Sequence, residues 1–122
     1  MVKHIFIKRV YDEPAPQDGY RVLVDRLWPR GISKDKLKID TWAKNWAPSS
    51  ALRKWFSHDP QKWEDFREKY QEELLSKEKE IGEFLKNCPS TTITFLYSAK
   101  DSIHNQAVVL KSFIENRIKD KT

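Results

Sequence analysis

Hydrophobic residues along this chain recur with two periods, one typical of strands and the other typical of helices. Alternating or continuous apolar residues over positions 3–10, 20–27 and 91–98 predict three strands. The uninterrupted Val-Leu-Val inside the second stretch is typical of a strand that is covered on both faces. That strand stops at the sequence WPRG (28–31), because proline cannot continue a strand and glycine permits a sharp turn.

Apolar residues at helical spacing predict three helices. The longest runs from Pro60 to about Asn87, with one apolar stripe along its length. A shorter helix begins after Ser49, whose hydroxyl suits an N-cap. A final helix opens at Asp101 or Ser102.

The order of these elements predicts the fold class. We expect a single α/β domain over residues 1–122, arranged as a layered sandwich with a small, at least partly parallel sheet flanked by helices. The length of 122 residues suits one domain, and five tryptophans provide apolar surface for its core. Residues 39–46 combine helical spacing with a following proline, which predicts a short helix or an irregular turn.

Cysteine and hydropathy exclude several classes of protein. The single cysteine, Cys88, rules out an internal disulfide framework and a cysteine-based zinc site. The longest fully apolar runs are three or four residues, too short for a membrane span. We therefore expect a cytoplasmic protein that has no membrane partner and holds neither a cofactor nor a metal.

The positive charge is confined to one half of the chain. Residues 1–59 hold 12 Lys and Arg against 7 Asp and Glu, whereas residues 60–122 hold 11 of each, so the first half carries the whole net charge of +5. A basic half indicates an anionic partner, such as a phosphorylated metabolite, a nucleotide or a nucleic acid backbone. The alternative is that the charge serves solubility alone.

The end of the second strand offers the densest group of polar side chains. Ligands of open α/β sheets bind beyond the carboxyl ends of the strands, and here Arg21, Asp25, Arg26, Trp28 and Arg30 follow or end a buried strand. Guanidinium groups hold phosphate or carboxylate through two parallel hydrogen bonds, and Asp25 is placed to align one of them. The structural alternative is an Asp25–Arg26 ion pair beside a Trp28 that only packs.

A second candidate site is the turn between the last strand and the last helix, at residues 97–101. Free N–H groups at a helix start attract anions, and Ser98, Lys100 and Asn105 would add polar contacts. The structural alternative is that Asp101 caps the helix while Lys100 faces water. One turn can both cap the helix and contact a ligand, so the two alternatives stay open.

Few residues suggest catalysis. Asp25, His58 and Lys100 are the candidates for proton transfer, and nothing in the sequence selects among them. Asp101 and His104 stand three residues apart on one helix face, where they would supply two metal ligands. Two ligands are too few for a metal site. Whether the protein is an enzyme therefore stays open.

Three segments carry a resemblance to a known family. They are DGYRVLVDRLWPRGISK (18–34), ALRKWFSHDPQKWEDFREKYQEEL (51–74) and LYSAKDSIHNQAVVLKSFI (96–114), within which DRLWPRG and YSAKD are the specific motifs. The chain resembles the YeaO-like family of small bacterial proteins, domain of unknown function family 488, over nearly its whole length. One departure is Ala51, where such proteins usually have an acidic residue. The resemblance implies an α/β fold but assigns no reaction and no role to any residue.

Together these observations predict binding of a small anionic ligand, phosphorylated or not, in one cleft at the strand ends, with or without catalysis. The contacts would come from the N-terminus of the last helix and from Arg21, Arg26, Arg30 and Lys100. One alternative is a nucleic-acid-binding module that uses the basic half and its tryptophans. Another is a protein-interaction module in which an exposed tryptophan patch docks a partner.

Overall fold

The computed structural model describes residues 2–120. No helix within that range is both long enough and apolar enough to cross a bilayer. Short 3₁₀ turns at Pro16–Asp18, Lys44–Trp46 and Pro60–Lys62 connect several of the elements. The strands and helices of residues 2–120, in chain order, are β1 His4–Arg9, β2 Tyr20–Leu23, α1 Lys34–Leu37, β3 Thr41–Trp42, α2 Ser50–Phe56, α3 Trp63–Leu75, α4 Glu78–Asn87, β4 Thr92–Tyr97 and α5 Gln106–Asp120.

The strands form one sheet in the order β1-β4-β2-β3, and each neighbouring pair runs parallel. This confirms the predicted α/β class. The sequence did not predict β3, because a strand of two residues is too short to leave an alternating pattern. Its backbone pairs with β2 where an irregular turn or short helix was expected.

The two faces of the sheet are covered differently. Helices α2 to α5 pack on one face and bury the larger core, while α1 and the loop after β2 cover a smaller cluster on the other. In β4, Ile93, Phe95 and Tyr97 face the larger core and Leu96 faces the smaller one, the alternation of a strand. The sheet is therefore the middle of three layers.

The predicted long helix is in fact two helices. It breaks at Ser76, whose hydroxyl donates a 2.7 Å hydrogen bond to the carbonyl of Glu73. A serine that bonds to the preceding turn offers the backbone an alternative to the helical ladder. The predicted cap at Ser49 is confirmed, since its hydroxyl accepts the N–H of Leu52 at 3.2 Å.

Glycine is required where the chain enters β2. Gly19 has φ 64°, and a Cβ at this position would lie 2.3 Å from the carbonyl oxygen of Thr92. The backbone of the loop therefore touches the start of β4 at a distance that only a residue without a side chain allows. This contact fixes how β2 enters the sheet beside β4.

Candidate functional site

A cleft of about 660 Å³ opens at the carboxyl ends of the strands. Because the strands are parallel, the residues that follow β2 and β4 reach the same edge of the sheet. The two segments singled out in the sequence both line this cleft. Its charged side chains are Arg9, Asp25, Arg26, Arg30, Arg53, Lys100 and Asp101.

Asp25 ties together three segments behind the cleft. One carboxylate oxygen accepts the N–H of Ser98 at 3.1 Å and its hydroxyl at 2.5 Å, and the other accepts the side-chain amide of Gln106. Burial raises the pKa of Asp25, although the hydrogen bonds from Ser98 and Gln106 oppose that rise. The carboxylate thus links the end of β2 to the end of β4 and the start of α5.

The Asp25–Arg26 ion pair, which was the structural alternative for this segment, does not form. Arg26 instead donates to the carbonyl oxygens of Pro48 at 2.9 Å and Ala47 at 3.3 Å. A guanidinium has five N–H donors, so these contacts fix its position and leave further donors for a ligand. Arg26 is therefore oriented by the chain that leads into α2.

Two other arginines line the cleft without a contacting carboxylate. Arg30 and Arg53 are both exposed, and the guanidinium group of neither makes an ion pair or a hydrogen bond with any residue of the described chain, 2–120. Against the larger effect of burial, the charge of Arg53 lies near enough to Asp25 to lower the pKa of that carboxyl. Arg9 is held by the carbonyls of Ser98 and Ala99 at 3.3 and 3.1 Å. The cleft thus combines guanidinium groups fixed by backbone carbonyls with exposed ones.

Arg21 does not belong to this site, contrary to the sequence prediction. Its side chain is buried and donates to Asp18 at 2.5 Å and to the carbonyls of Leu37 and Lys38 at 2.7 and 3.1 Å. Burial works to raise the pKa of Asp18, but hydrogen bonds from the Ala15 N–H and from the Lys8 and Arg21 side chains hold it below its usual value. Arg21 is the second residue of β2, so it lies near the amino end of the strand, whereas the cleft lies beyond the carboxyl end.

Trp28 lies on the wall of the cleft and is half-buried. Its indole N–H donates to the carbonyl of Ile32 at 2.8 Å, and its ring packs edge-to-face on Trp42, with centroids 5.4 Å apart. The ring therefore belongs to the smaller core as well as to the wall. Gly31 follows with φ 73°, the positive value that the predicted turn requires.

The turn after β4 differs from its prediction. Helix α5 begins at Gln106, and residues 101–105 form an irregular turn instead of the first helical turn. Asn105 is buried, donates to the carbonyl of Asp101 at 2.9 Å and accepts the N–H of Val108 at 3.2 Å. Its amide thus caps the helix from within the protein, and the residue also lies along the cleft.

Asp101 stabilises this turn. One carboxylate oxygen accepts the N–H groups of Ile103 and His104, both at 2.9 Å, and the other lies 2.8 Å from Nδ1 of His104. The N–H of His104 first, then that of Ile103 and the His104 ring, lower the pKa of Asp101 to about 2. Lys100 and Ser98 also line the cleft, with Lys100 exposed.

The structure adds residues to the site that the sequence analysis missed. Arg9 ends β1, so the rule about carboxyl ends of strands would have found it. His104 was considered only as a metal ligand. Arg53 and Gln106 carry no local signal, because only the packing of α2 and α5 against the strand ends brings them to the cleft.

The candidates for proton transfer differ in their exposure to solvent. Asp25 is buried behind the cleft, whereas His58 and Lys100 are exposed along it. Across residues 2–120, no group of three or more His, Cys, Asp and Glu side chains is placed to hold a metal ion. The chemistry that the cleft presents to a ligand is therefore mainly that of guanidinium and ammonium donors.

Comparison with known proteins yields one family. The family model described as "Inactive DUF488-N3 subclade" matches residues 4–122. The chain is 43% identical to the uncharacterized protein YeaO of Escherichia coli (strain K12), over 93% of this chain and 98% of that protein. It is 37% identical to the uncharacterized proteins Mb3100c of Mycobacterium bovis and Rv3073c of Mycobacterium tuberculosis, over 91% of this chain and 93% of each relative. No solved structure matches the chain.

Proposed function

Because the chain belongs to the DUF488 family, in a subclade described as inactive, we propose that its cleft binds a small phosphate-bearing anion without transforming it. The resemblance seen in the sequence is thereby confirmed at the level of the family. The description of the subclade names no ligand.

The balance of charge in the cleft carries this proposal. Five cationic side chains line it against two carboxylates, and both carboxylates are already engaged by hydrogen bonds from the protein. Uncompensated guanidinium groups in a concave site favour a ligand that supplies the missing negative charge. The volume of about 660 Å³ suits a small molecule. The cations are Arg9, Arg26, Arg30, Arg53 and Lys100.

The hydrogen bonds that Asp25 accepts support binding without catalysis. A general base needs a lone pair directed at the proton that it removes. The two carboxylate oxygens of Asp25 accept three hydrogen bonds from Ser98 and Gln106, which leaves at most one of their four lone pairs for a proton. This agrees with the word "inactive" in the description of the subclade.

The tryptophans support neither a stacking platform nor a docking patch. Four of the five are buried or half-buried. The exposed one, Trp55, lies under the ammonium groups of Lys62 and Lys69, at 5.2 and 5.4 Å from its ring centroid. Base stacking needs an open ring face.

Isothermal titration calorimetry with inorganic pyrophosphate tests the proposal. We expect binding by the wild type and a loss of affinity of about tenfold or more in Arg30→Ala and in Arg53→Ala, since charged hydrogen bonds contribute about 1.5–3 kcal/mol each. Arg67→Ala is the matched control, because Arg67 is exposed, pairs with Glu64 on α3 and does not line the cleft.

Two results would contradict the proposal. One is pyrophosphate binding that Arg30→Ala and Arg53→Ala leave intact. The other is failure of pyrophosphate, inorganic phosphate and nucleoside monophosphates to bind, together with binding of single-stranded oligonucleotides whose affinity falls steeply with salt. That second result would identify a nucleic acid partner, because each neutralised phosphate releases counterions.

A further inference from the structure

His104 is a titratable side chain of the cleft to which the proposed function gives no role. Its ring lines the cleft and is 30% exposed. Asp101 holds one edge through the 2.8 Å contact with Nδ1, and the ring meets Trp63 of α3 edge-to-face, with centroids 5.2 Å apart. The imidazole is therefore fixed on two sides.

The contact with Asp101 decides which ring nitrogen faces a ligand. A carboxylate accepts and cannot donate, so Nδ1 carries a proton in this contact. The second nitrogen, Nε2, has no hydrogen-bond partner among residues 2–120. When Nε2 is protonated it is an N–H donor on a positively charged ring, and when it is unprotonated it is an acceptor.

The charged surroundings of His104 come from every segment around the cleft. Asp101 is the carboxylate in contact with it, and Asp25 lies deeper, engaged by Ser98 and Gln106. Helix α3 contributes the apolar rings of Trp63 and Phe66. The other titratable groups along the cleft are Arg9 at the end of β1, Tyr11 in the loop after it, Arg26 and Arg30 after β2, Arg53 on α2, His58 after α2 and Lys100 before the turn.

We propose that His104 is a ligand-contacting residue, which binds a tetrahedral dianion through its protonated ring and makes the affinity of the cleft depend on pH. This inference rests on the proposed function and extends it to the class of ligand, a sulfate-like or phosphate-like group with two negative charges. The Asp101 carboxylate balances the charge of the imidazolium and fixes its orientation, while Nε2–H supplies a charged hydrogen bond to the oxyanion.

Sulfate is the suitable probe, because its charge stays at two across this pH range, whereas phosphate monoesters titrate near pH 6. We expect wild-type sulfate affinity to rise about tenfold between about pH 8 and about pH 5.5, as expected for one charged hydrogen bond. His104→Gln should bind at both pH values with the affinity that the wild type has at pH 8. His4→Gln is the matched control and should retain the wild-type pH dependence, because His4 is exposed on β1 and does not line the cleft.

A measurement on the wild-type protein tests the same inference even if His104→Gln fails to fold. In a proton NMR titration of the histidine rings, sulfate should raise the titration midpoint of His104 and leave that of His4 unchanged, because binding and protonation are reciprocally coupled.

Wild-type sulfate affinity that does not change with pH overturns the inference, as does a pH dependence that persists in His104→Gln. Pyrophosphate binding without any sulfate binding also overturns it but leaves the proposed function standing. Failure of sulfate, pyrophosphate, inorganic phosphate and nucleoside monophosphates all to bind overturns the proposed function itself.

Discussion

The carboxylate of Asp25 accepts both the backbone N–H and the hydroxyl of Ser98, at 3.1 and 2.5 Å. This joins the chain just beyond β2 to the chain just beyond β4, where two parallel strands leave the sheet. The sheet's own hydrogen bonds end there, and the side chain of Asp25 continues the connection. The floor of the cleft is therefore held by one buried acid.

Asp25→Asn should change how stability depends on pH. Burial raises the pKa of Asp25 in the folded state, so the folded chain binds this proton more readily than the unfolded chain does. The stability that Asp25 contributes is thus present below its unfolded pKa of about 3.9 and is lost as the pH rises through the folded value. Relative to Asp25→Asn, the wild type should lose unfolding free energy as the pH rises from about 4, which urea denaturation at several pH values measures.

The control for that experiment is Asp65→Asn, on the exposed surface of α3. Its unfolding free energy should follow the wild type across the same pH range. A difference between wild type and Asp25→Asn that stays constant from acid to neutral pH would contradict the raised pKa.

Asp18→Ala should be strongly destabilising. Asp18 is buried and accepts from Arg21 at 2.5 Å and from Lys8 at 3.1 Å, so its loss leaves the buried guanidinium of Arg21 without a counter-charge. Breaking a buried pair in this way costs about 3–5 kcal/mol. Glu64→Ala removes an exposed partner of Arg67 and should cost about 1 kcal/mol or less in the same chemical denaturation. Equal effects of the two substitutions would contradict a structural role for Asp18.

Alanine at Gly19 should be tolerated less well than alanine at Gly31. Both glycines have positive φ, 64° and 73°, so each substitution carries a backbone penalty of about 1–2 kcal/mol. At Gly31 the new Cβ meets open space, whereas at Gly19 it would lie 2.3 Å from the Thr92 carbonyl oxygen. Thermal unfolding should therefore show a clearly larger drop in Tm for Gly19→Ala. The reverse order would show that the loop before β2 does not touch β4 as described.

Tyr70→Phe should destabilise the larger core without creating a cavity. The Tyr70 hydroxyl is buried and donates to the Trp46 carbonyl at 2.5 Å, so phenylalanine leaves that oxygen buried without a partner. The expected loss is about 1–3 kcal/mol of unfolding free energy. Tyr11→Phe is the comparison, since the exposed Tyr11 hydroxyl donates to the Arg30 carbonyl and its removal should change stability by about 0.5 kcal/mol or less.

Local pattern predicted the α/β class and the faces of the central strands. The apolar residues around Val22 and around Phe95 belong to strands that are buried on both faces. Such strands require apolar side chains on both faces, so the requirement can be read from the local sequence. The break at Ser76 escaped prediction because the apolar stripe resumes at Ile81 with the same period. The interruption depends on one side-chain hydrogen bond, which a periodicity does not record.

The place of the cleft was predictable, and the roles of its residues were less so. A parallel sheet brings the ends of its strands to one edge, so the segments after Leu23 and Tyr97 had to meet there. Which side chains face inward depends on contacts between distant segments. Arg21 was assigned to the site and Arg53 was not, because only the packed structure shows that the first is buried beside Asp18 and the second lines the cleft.

The position of β4 in the sheet has a consequence for how the chain folds during synthesis. Strand β1 pairs along its length only with β4, and β4 also separates β1 from β2. His4 therefore cannot pair with its neighbour in the sheet until Thr92 has been translated. Contacts between residues so far apart in sequence make folding slow. A nascent chain that stops after α4 has made most of its helices but has only the short pairing of β2 with β3 on which to pack them.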